Sequence, residues 1–268
     1  MSLYQDILKL FMRISNESIG FVDAWRRGKK DILIKINVNN QIDVVTELDY
    51  QIERNAKKNL NKHYPEFEFV GEEGFKGNFE IFDQNYFIID PIDGTKAFVK
   101  GSKDWGISIC AVIDGVPSIA LLNIPDKHLL ITGIKNEKVC LNGIPIEIKT
   151  TVNQKVAISP RQLTMVEKCF KKTSYVPQEM SALTPKVAAV MTGDVEAALY
   201  FPENGKSASI WDYAAACFLL EEAGGVMKSF DGNNLPYSGE GTIYRGGWIA
   251  SRSDKTYSDI KKLVEIKL

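Results

Sequence analysis

The sequence predicts a mixed α and β protein built in two lobes. Three observations carry this reading. An amphipathic segment opens the chain, short apolar runs with strong turn signals fill its first half, and strand-like and helix-like segments alternate from about Lys149. The 268 residues, 44% hydrophobic and 25% charged, suffice for one large domain or two ordinary lobes around a substantial core. The pattern places an α+β lobe at residues 1–148 and an α/β lobe at residues 149–268.

Apolar residues recur at helical spacing from Leu3 to about Trp25, with charges among them, as in an amphipathic helix and unlike a secretory signal. Alternation from Ile32 to Ile36, then a polar turn at Asn37 to Gln41, reads as a hairpin. "TELDYQIERNAKKNLNKHYP" is a second helix. Thr46 is its N-cap, Asp49 stands three positions on as in a capping box, and Pro65 lies beyond its end. "FEFVGEEG" is a short strand that runs into acids, and "YFIID" is another. In "WGISICAVIDGVPSIALLNIP" two β runs meet at Asp114-Gly115, a strong hairpin signal. Short strands continue through "HLLITGIKNEKVCLNGIPIEI". Then "KVAISP", "LTMVEKCFKKT", "PKVAAVMTGDVEAALYF" and "IWDYAAACFLLEEAGG" alternate strand with helix. No repeat or long linker separates the lobes, so they are expected to pack as one unit.

Composition excludes several functions. A formal charge of −1 provides no broad basic field for nucleic acid or an anionic membrane, and no apolar run is long enough to span a bilayer. Cys110, Cys140, Cys169 and Cys217 lie far apart with no CxxC pair. They are expected to be reduced thiols of a cytoplasmic protein, without a structural zinc site. The two histidines, His63 and His128, sit in polar surroundings and read as surface residues, so Ser-His-Asp catalysis is not supported. GxxxxGK[ST] is missing, and "GEEGFKG" puts acids where a phosphate needs amides and cations.

Carboxylates remain. Glu72 and Glu73 follow one strand, Asp90 and Asp93 another, and Asp212 stands where a helix begins. Each alone has a plain structural reading, because helix N-termini favour acids and Asp-Gly makes turns. Together they are harder to dismiss, since buried carboxylates are costly unless paired or metal-bound. In "DPIDGT", Pro91 forces a turn that lets Asp90 and Asp93 face one side and exposes the Ile92 carbonyl. Gly94 lets backbone approach a ligand, and the amides at the start of the Thr95 segment suit a phosphate. Oxygen-only ligands suit Mg²⁺, and two such ions can hold the attacking and leaving oxygens of a phosphoryl transfer. A haloacid-dehalogenase-like nucleophile would be an aspartate two residues before Asp93, where Pro91 stands. A phosphoaspartyl mechanism is therefore not expected. An EF-hand loop fails on spacing as well.

"DVVTELD" around Asp49, "GEE" at Gly71 to Glu73, "DPIDGT" at Asp90 to Thr95 and "WDYAA" at Trp211 to Ala215 resemble, in that order, the motifs of the inositol monophosphatase superfamily. These are Mg²⁺-dependent, lithium-sensitive phosphomonoesterases with a five-layered αβαβα sandwich fold. With "LNG" and "EAGG" the resemblance covers about Lys35 to Gly225. It implies two or three Mg²⁺ ions per site. Glu72 would bind the first, activating ion, Asp90 would bridge the first and second, and the Ile92 carbonyl would bind the first. Asp93 and Asp212 would hold the second, with Asp212 also near the substrate. Thr95, with Asp49, would orient and deprotonate the attacking water, alongside Glu72 as a catalytic group. The Gly94 and Thr95 amides would bind phosphate, and Glu73 would lie behind the metal ligands.

For the substrate, "DGTKAFVKG" and "SIWDYAA" are similar to the 3′(2′),5′-bisphosphate nucleotidase (CysQ-like) branch. Lys186 falls where nucleotidases tend to have a lysine for a second phosphate and inositol phosphatases an asparagine, although "TPK" replaces the usual "GSSLK". The position of the inositol-gripping glutamate is Gly205, with Glu203 nearby. The expected reaction is therefore hydrolysis of adenosine 3′,5′-bisphosphate to AMP and phosphate by direct attack of water. Inositol 1-phosphate, histidinol phosphate and a sugar bisphosphate are alternatives. In another class, the chain would be a catalytically weak relative acting through protein or RNA partners, which the complete set of expected ligands argues against. A small phosphate ester is the expected partner, without nucleic acid or membrane, and a homodimer is left open.

Overall fold

The computed structural model describes residues 2–36, 42–75, 85–148, 154–171, 173–202, 208–237 and 243–265, less the side chains of residues 165 and 243. The expected turn at Asn37 to Gln41, the lobe boundary at Lys149, Glu203 and Gly205 lie outside the described residues.

In chain order the elements begin with α1 (Leu3–Arg27), β1 (Ile32–Ile36), β2 (Ile42–Thr46), α2 (Glu47–His63), β3 (Glu68–Gly71), β4 (Tyr86–Asp93) and α3 (Thr95–Val99). They continue with β5 (Gly106–Ile113), β6 (Val116–Ile124), β7 (Leu129–Ile134), β8 (Cys140–Leu141) and β9 (Ile144–Pro145). The second half holds β10 (Lys155–Ile158), α4 (Leu163–Phe170), β11 (Val176–Glu179), α5 (Leu183–Thr192), β12 (Ala197–Tyr200) and β13 (Ala208–Ser209). The last are α6 (Ile210–Glu222), β14 (Val226–Ser229), β15 (Ile243–Tyr244), β16 (Trp248–Ser251) and α7 (Asp254–Glu265).

Two sheets and three helical layers alternate. The first sheet runs β3-β4-β5-β6-β7-β8-β9, with β3 parallel to β4 and antiparallel neighbours thereafter. Its hairpin at Asp114-Gly115 has φ of 52° and 74° at those two residues, the left-handed pair that a tight two-residue turn requires. The second sheet runs β11-β10-β12-β16-β14, parallel around β10 and antiparallel around β16.

Three apolar cores fill the spaces between layers. α1 and α2 bury Ile7, Phe11, Ile14, Ile52 and Leu60 against Phe87, Ile89 and Leu121 of the first sheet. α5 and α6 pack between the sheets, joining Ile88, Cys110 and Leu122 to Val187, Phe218, Met227 and Ala250. Outside the second sheet, α4 and α7 cover Val156, Leu199 and Ile249 with Val166, Phe170, Ile260 and Val264. The result is an αβαβα sandwich. β4, β5 and α6 are apolar nearly throughout because layers cover both faces of each sheet and enclose the middle helices.

The β1–β2 hairpin stands apart as a two-stranded sheet. Its alternation is inverted relative to an ordinary amphipathic strand. Ile34 and Ile36 are 74% exposed, whereas the Lys35 side chain is only 15% exposed and turns toward Glu72 and Glu73.

Candidate active site

The first sheet delivers its acids at strand ends. β4 is buried along its whole length and ends at Asp90–Asp93, where its pairing to β5 is interrupted between those two residues. The Ile92 amide bonds back to Asp90 Oδ1 at 3.1 Å, which closes the Pro91 turn and leaves the two aspartates on one cavity. Gly94 follows with φ 88°. An added Cβ there would lie 2.6 Å from the Ala182 Cβ and 3.0 Å from the Asp104 carbonyl oxygen, so both backbone angle and space demand glycine. Thr95 then opens α3, whose first amides have no helical acceptor.

Two helix starts supply the remaining groups by the same device. At α2, Asp49 Oδ2 accepts from the Thr46 amide at 2.8 Å and from the Thr46 hydroxyl at 2.6 Å. Its other oxygen lies 3.1 Å from the Thr95 hydroxyl, which also stands 3.0 Å from the Ile92 carbonyl. At α6, Asp212 Oδ2 accepts from the Ser209 amide at 2.6 Å. The capping boxes thus fix one oxygen of each carboxylate and leave the second for other contacts. Asp93 is held from α5, where the Thr184 amide donates to its Oδ2.

Glu72, Asp90, Ile92, Asp93, Gly94, Thr95 and Asp212 line one cavity of about 530 Å³. Burial raises the carboxyls of Asp90 and Asp212 well above the ordinary range, and the charge of Glu72 adds to it in both, with Asp93 and Asp212 also acting on Asp90. Burial likewise raises Asp93, against the pull of the Thr184 amide. Asp49 is pushed up to about 6 by burial. Glu73, whose Oε2 is buried without a hydrogen-bond partner, is pushed up to about 8 by burial and by Glu72. Lys35, which burial alone pulls down, is held well above the usual lysine value by Glu72 at 2.9 Å and Glu73 at 2.6 Å.

Among the described residues no three His, Cys, Asp or Glu groups stand as a ready metal shell, and Glu72 is turned to Lys35. The donor chemistry nevertheless fits a hard divalent cation. It consists of oxygens only, on mutually repelling carboxylates around one cavity, with protonation of Asp90 and Asp212 favoured by burial and by the charges of their neighbours.

The family model for inositol monophosphatases matches residues 13–267. The chain belongs to the inositol monophosphatase family. An inositol monophosphatase of Mesembryanthemum crystallinum is 31% identical over 237 residues, covering 78% of this chain and 86% of its own. A Nus factor SuhB of Xylella fastidiosa is 29% identical over 212 residues, covering 74% and 73%. The solved structure of an IMPase/NADP phosphatase complexed with Mg²⁺ and phosphate shares the fold, with a TM-score of 0.82 over 98% of this chain and 96% of that one at 21% identity. Membership of this inositol monophosphatase family makes the chain a phosphoric monoester hydrolase of a metal-dependent family.

Lys186 is not on the cavity wall. It is 2% exposed, and its Nζ donates to Ser159 Oγ at 2.6 Å. Its ammonium is thus engaged within the protein, on a serine that itself lines the cavity. Glu73 pairs with Lys35 at 2.6 Å, and its amide donates to Glu53 Oε2 at 2.7 Å. Sequence reasoning missed Asp43, Ser159, Arg161 and Ser181, which line the cavity, and Lys35, which grips Glu72. Lys35 carried one signal, its place in a period-2 strand. The serines and Arg161 follow strand ends in loops and carried none. Lys96 reaches the cavity but is paired with Asp43 at 2.7 Å. Among the described residues no helix is long and apolar enough to cross a membrane.

Proposed function

We propose that the protein is a Mg²⁺-dependent phosphomonoesterase that hydrolyses a small phosphorylated metabolite by direct attack of water. The observation that carries this is the contact between Thr95 and Asp49 beside four carboxylates on one cavity, two of them buried and two half-buried. Glu72, Asp90, Asp93, Asp212 and the Ile92 carbonyl are the groups that would hold two or three ions. Bound there, the ions supply Lewis acidity to the phosphoryl oxygens and lower the pKa of water.

The chain's own groups do the rest. Thr95 has one hydroxyl proton and two acceptors in reach, Asp49 and the Ile92 carbonyl. When it donates to Asp49, its lone pairs face the cavity and accept a proton from water. Asp49, kept from solvent and raised to about 6, has a proton affinity matched to receive that proton near neutral pH. Glu72 orients the same water. The Gly94 and Thr95 amides receive the phosphate.

Inositol 1-phosphate is the leading substrate, because relatives of about 30% identity carry that activity in their names. Adenosine 3′,5′-bisphosphate is the second reading. Its support is Lys100 and Arg161, exposed cations on the cavity wall that can meet a second phosphate. Release of phosphate from both esters, from histidinol phosphate and from a sugar bisphosphate, with Mg²⁺ and with EDTA, tests the proposal. Mg²⁺-dependent release from one of them is expected. Release that survives EDTA overturns the metal reading, and faster turnover of the bisphosphate selects the second substrate.

A further inference from the structure

Lys186 is a fully buried lysine that the chemistry above leaves without a role. It lies on α5, between the sheets, in the helix that also supplies the Thr184 amide to Asp93. Burial pulls its ammonium down to about 8, against the charges of Asp93 and Asp104, which favour it. Its Nζ donates a hydrogen bond to Ser159 Oγ at 2.6 Å. An ammonium has donors and no acceptor, so the serine oxygen accepts in this bond. The single proton of Ser159 must then go elsewhere. Among the described residues no protein group accepts it, and Ser159 lines the cavity. A serine held this way offers its proton to whatever occupies the cavity, strengthened by the cation behind it.

We propose that Ser159 is a donor to the organic half of the substrate, to a hydroxyl or anionic oxygen beyond the scissile phosphate, and that Lys186 is its positioning residue. The residues concerned share the cavity with the phosphate and metal groups but are supplied by a different part of the chain. Ser159, Pro160, Arg161 and Ser181 come from the second half of the chain, whereas Gly94, Thr95 and all the acids but Asp212 come from the first. An unpaired lysine of this length could swing among several acceptors. Burial to 2% exposure limits that freedom, and the bond to Ser159 Oγ turns the serine proton away from the lysine. The role expected from the sequence, direct grip on a second phosphate, becomes an indirect one that serves a polyol or a nucleotide alike.

The inference rests on the phosphatase reading, and the test separates the two. kcat/KM is measured with Mg²⁺ on the better of inositol 1-phosphate and adenosine 3′,5′-bisphosphate, and on p-nitrophenyl phosphate, whose leaving group has no hydroxyl or phosphate to receive the serine proton. The readout is the ratio of the two values. Ser159→Ala and Lys186→Met should each lower that ratio about tenfold, the size of one good hydrogen bond. Most of the change should lie in KM, with inhibition by inorganic phosphate unmoved. The double variant should be no worse than either single, because the lysine acts through the serine. A ratio unchanged in Ser159→Ala overturns the proposal by itself. Additive losses, or equal losses on both esters in Lys186→Met, make Lys186 a support of the fold or of the shared phosphate site. If Lys186→Met does not fold, Lys186→Arg replaces it; this variant keeps the buried charge but displaces the donor, and the ratio must again fall. Wild-type protein that turns over p-nitrophenyl phosphate but neither inositol 1-phosphate nor adenosine 3′,5′-bisphosphate overturns the inference alone, whereas no Mg²⁺-dependent release from any of the esters sinks the phosphatase reading as well.

Discussion

The Thr95 hydroxyl stands 3.1 Å from Oδ1 of Asp49, while Oδ2 of the same carboxylate is occupied by the Thr46 amide and hydroxyl. One residue thus caps a helix with one oxygen and serves the cavity with the other. The cap costs the site nothing, since each carboxylate oxygen is a separate acceptor. It also holds Asp49 in one rotamer without any substrate present, which is the preorganisation that proton transfer needs.

Removing either member of that pair should slow the chemical step. Thr95→Ala should lower kcat by about 10²–10⁴-fold, the usual contribution of a positioned acid–base group, with a smaller change in KM. Thr95→Ser should recover most of the loss. Asp49→Asn should lose kcat comparably yet melt no lower than wild type, because an amide oxygen can still accept from Thr46. Steady-state kinetics and circular dichroism decide. A change confined to KM in Thr95→Ala would reduce Thr95 to a phosphate ligand, and a trapped phosphoenzyme would refute direct attack.

Asp93 accepts the Thr184 amide with one oxygen and has the other available for a cation. Asp93→Asn keeps the first function and removes charge from the second. It should cost at least ~10²-fold in rate, since metal stabilisation of the transition state is worth several kcal/mol. Part of the loss should return at higher Mg²⁺. Asp212→Asn should behave alike, its Ser209 cap contact being retained. Full activity of either variant at the wild-type Mg²⁺ concentration would exclude a shared cation between them.

Gly94 bears on both stability and rate. With φ at 88° and no room for a Cβ beside Ala182, Gly94→Ala should destabilise the protein by about 1–3 kcal/mol through backbone strain and clash. It should also slow turnover, because Thr95 must shift with its neighbour. Urea melts and kcat are to be read together, and a neutral Gly94→Ala would show that the turn tolerates what its geometry forbids.

Much of this was legible in the sequence because it is local. The Thr46–Asp49 cap, the Asp114-Gly115 hairpin and the Pro91 turn each depend on residues within four positions of one another. The carboxylate motifs were legible because they combine chain punctuation with charge. Contacts across layers were not. Asp49 and Thr95, 46 residues apart, were joined only through the family resemblance and not by any local signal, and nothing near Ser159 announces Lys186, 27 residues on. The β1 strand shows why patterning alone misleads. Its alternation correctly indicates a strand, but ordinary burial would turn the isoleucines inward and Lys35 out. Two glutamates reverse that choice by pairing with Lys35, while Ile34 and Ile36 stay exposed.

The crowded acids make stability depend on pH in a direction opposite to that of ordinary paired carboxylates. Asp49 is raised from 3.8 to about 6, and Glu73 from 4.5 to about 8. The folded state therefore binds protons more tightly than the unfolded chain. The stability these protonated acids contribute is fully present below their unfolded values, near pH 4, and is lost as pH rises through about 6 and then about 8. Asp49 alone corresponds to about 3 kcal/mol, or roughly 6–12 °C in melting temperature for a chain of this size. Metal-free protein in EDTA should accordingly melt lower at about pH 8 than at about pH 5. A divalent cation binds the ionised acids and releases their protons, so millimolar Mg²⁺ should raise the melting temperature much more at the higher pH. Asp49→Asn, which has no carboxyl to titrate, should show a flatter profile in EDTA. Melting curves at the two pH values, with EDTA and with Mg²⁺, give all four comparisons. A metal-free protein that gains stability from pH 5 to pH 8, or a Mg²⁺ effect larger at the acid end, would mean that burial does not govern the protonation of these acids.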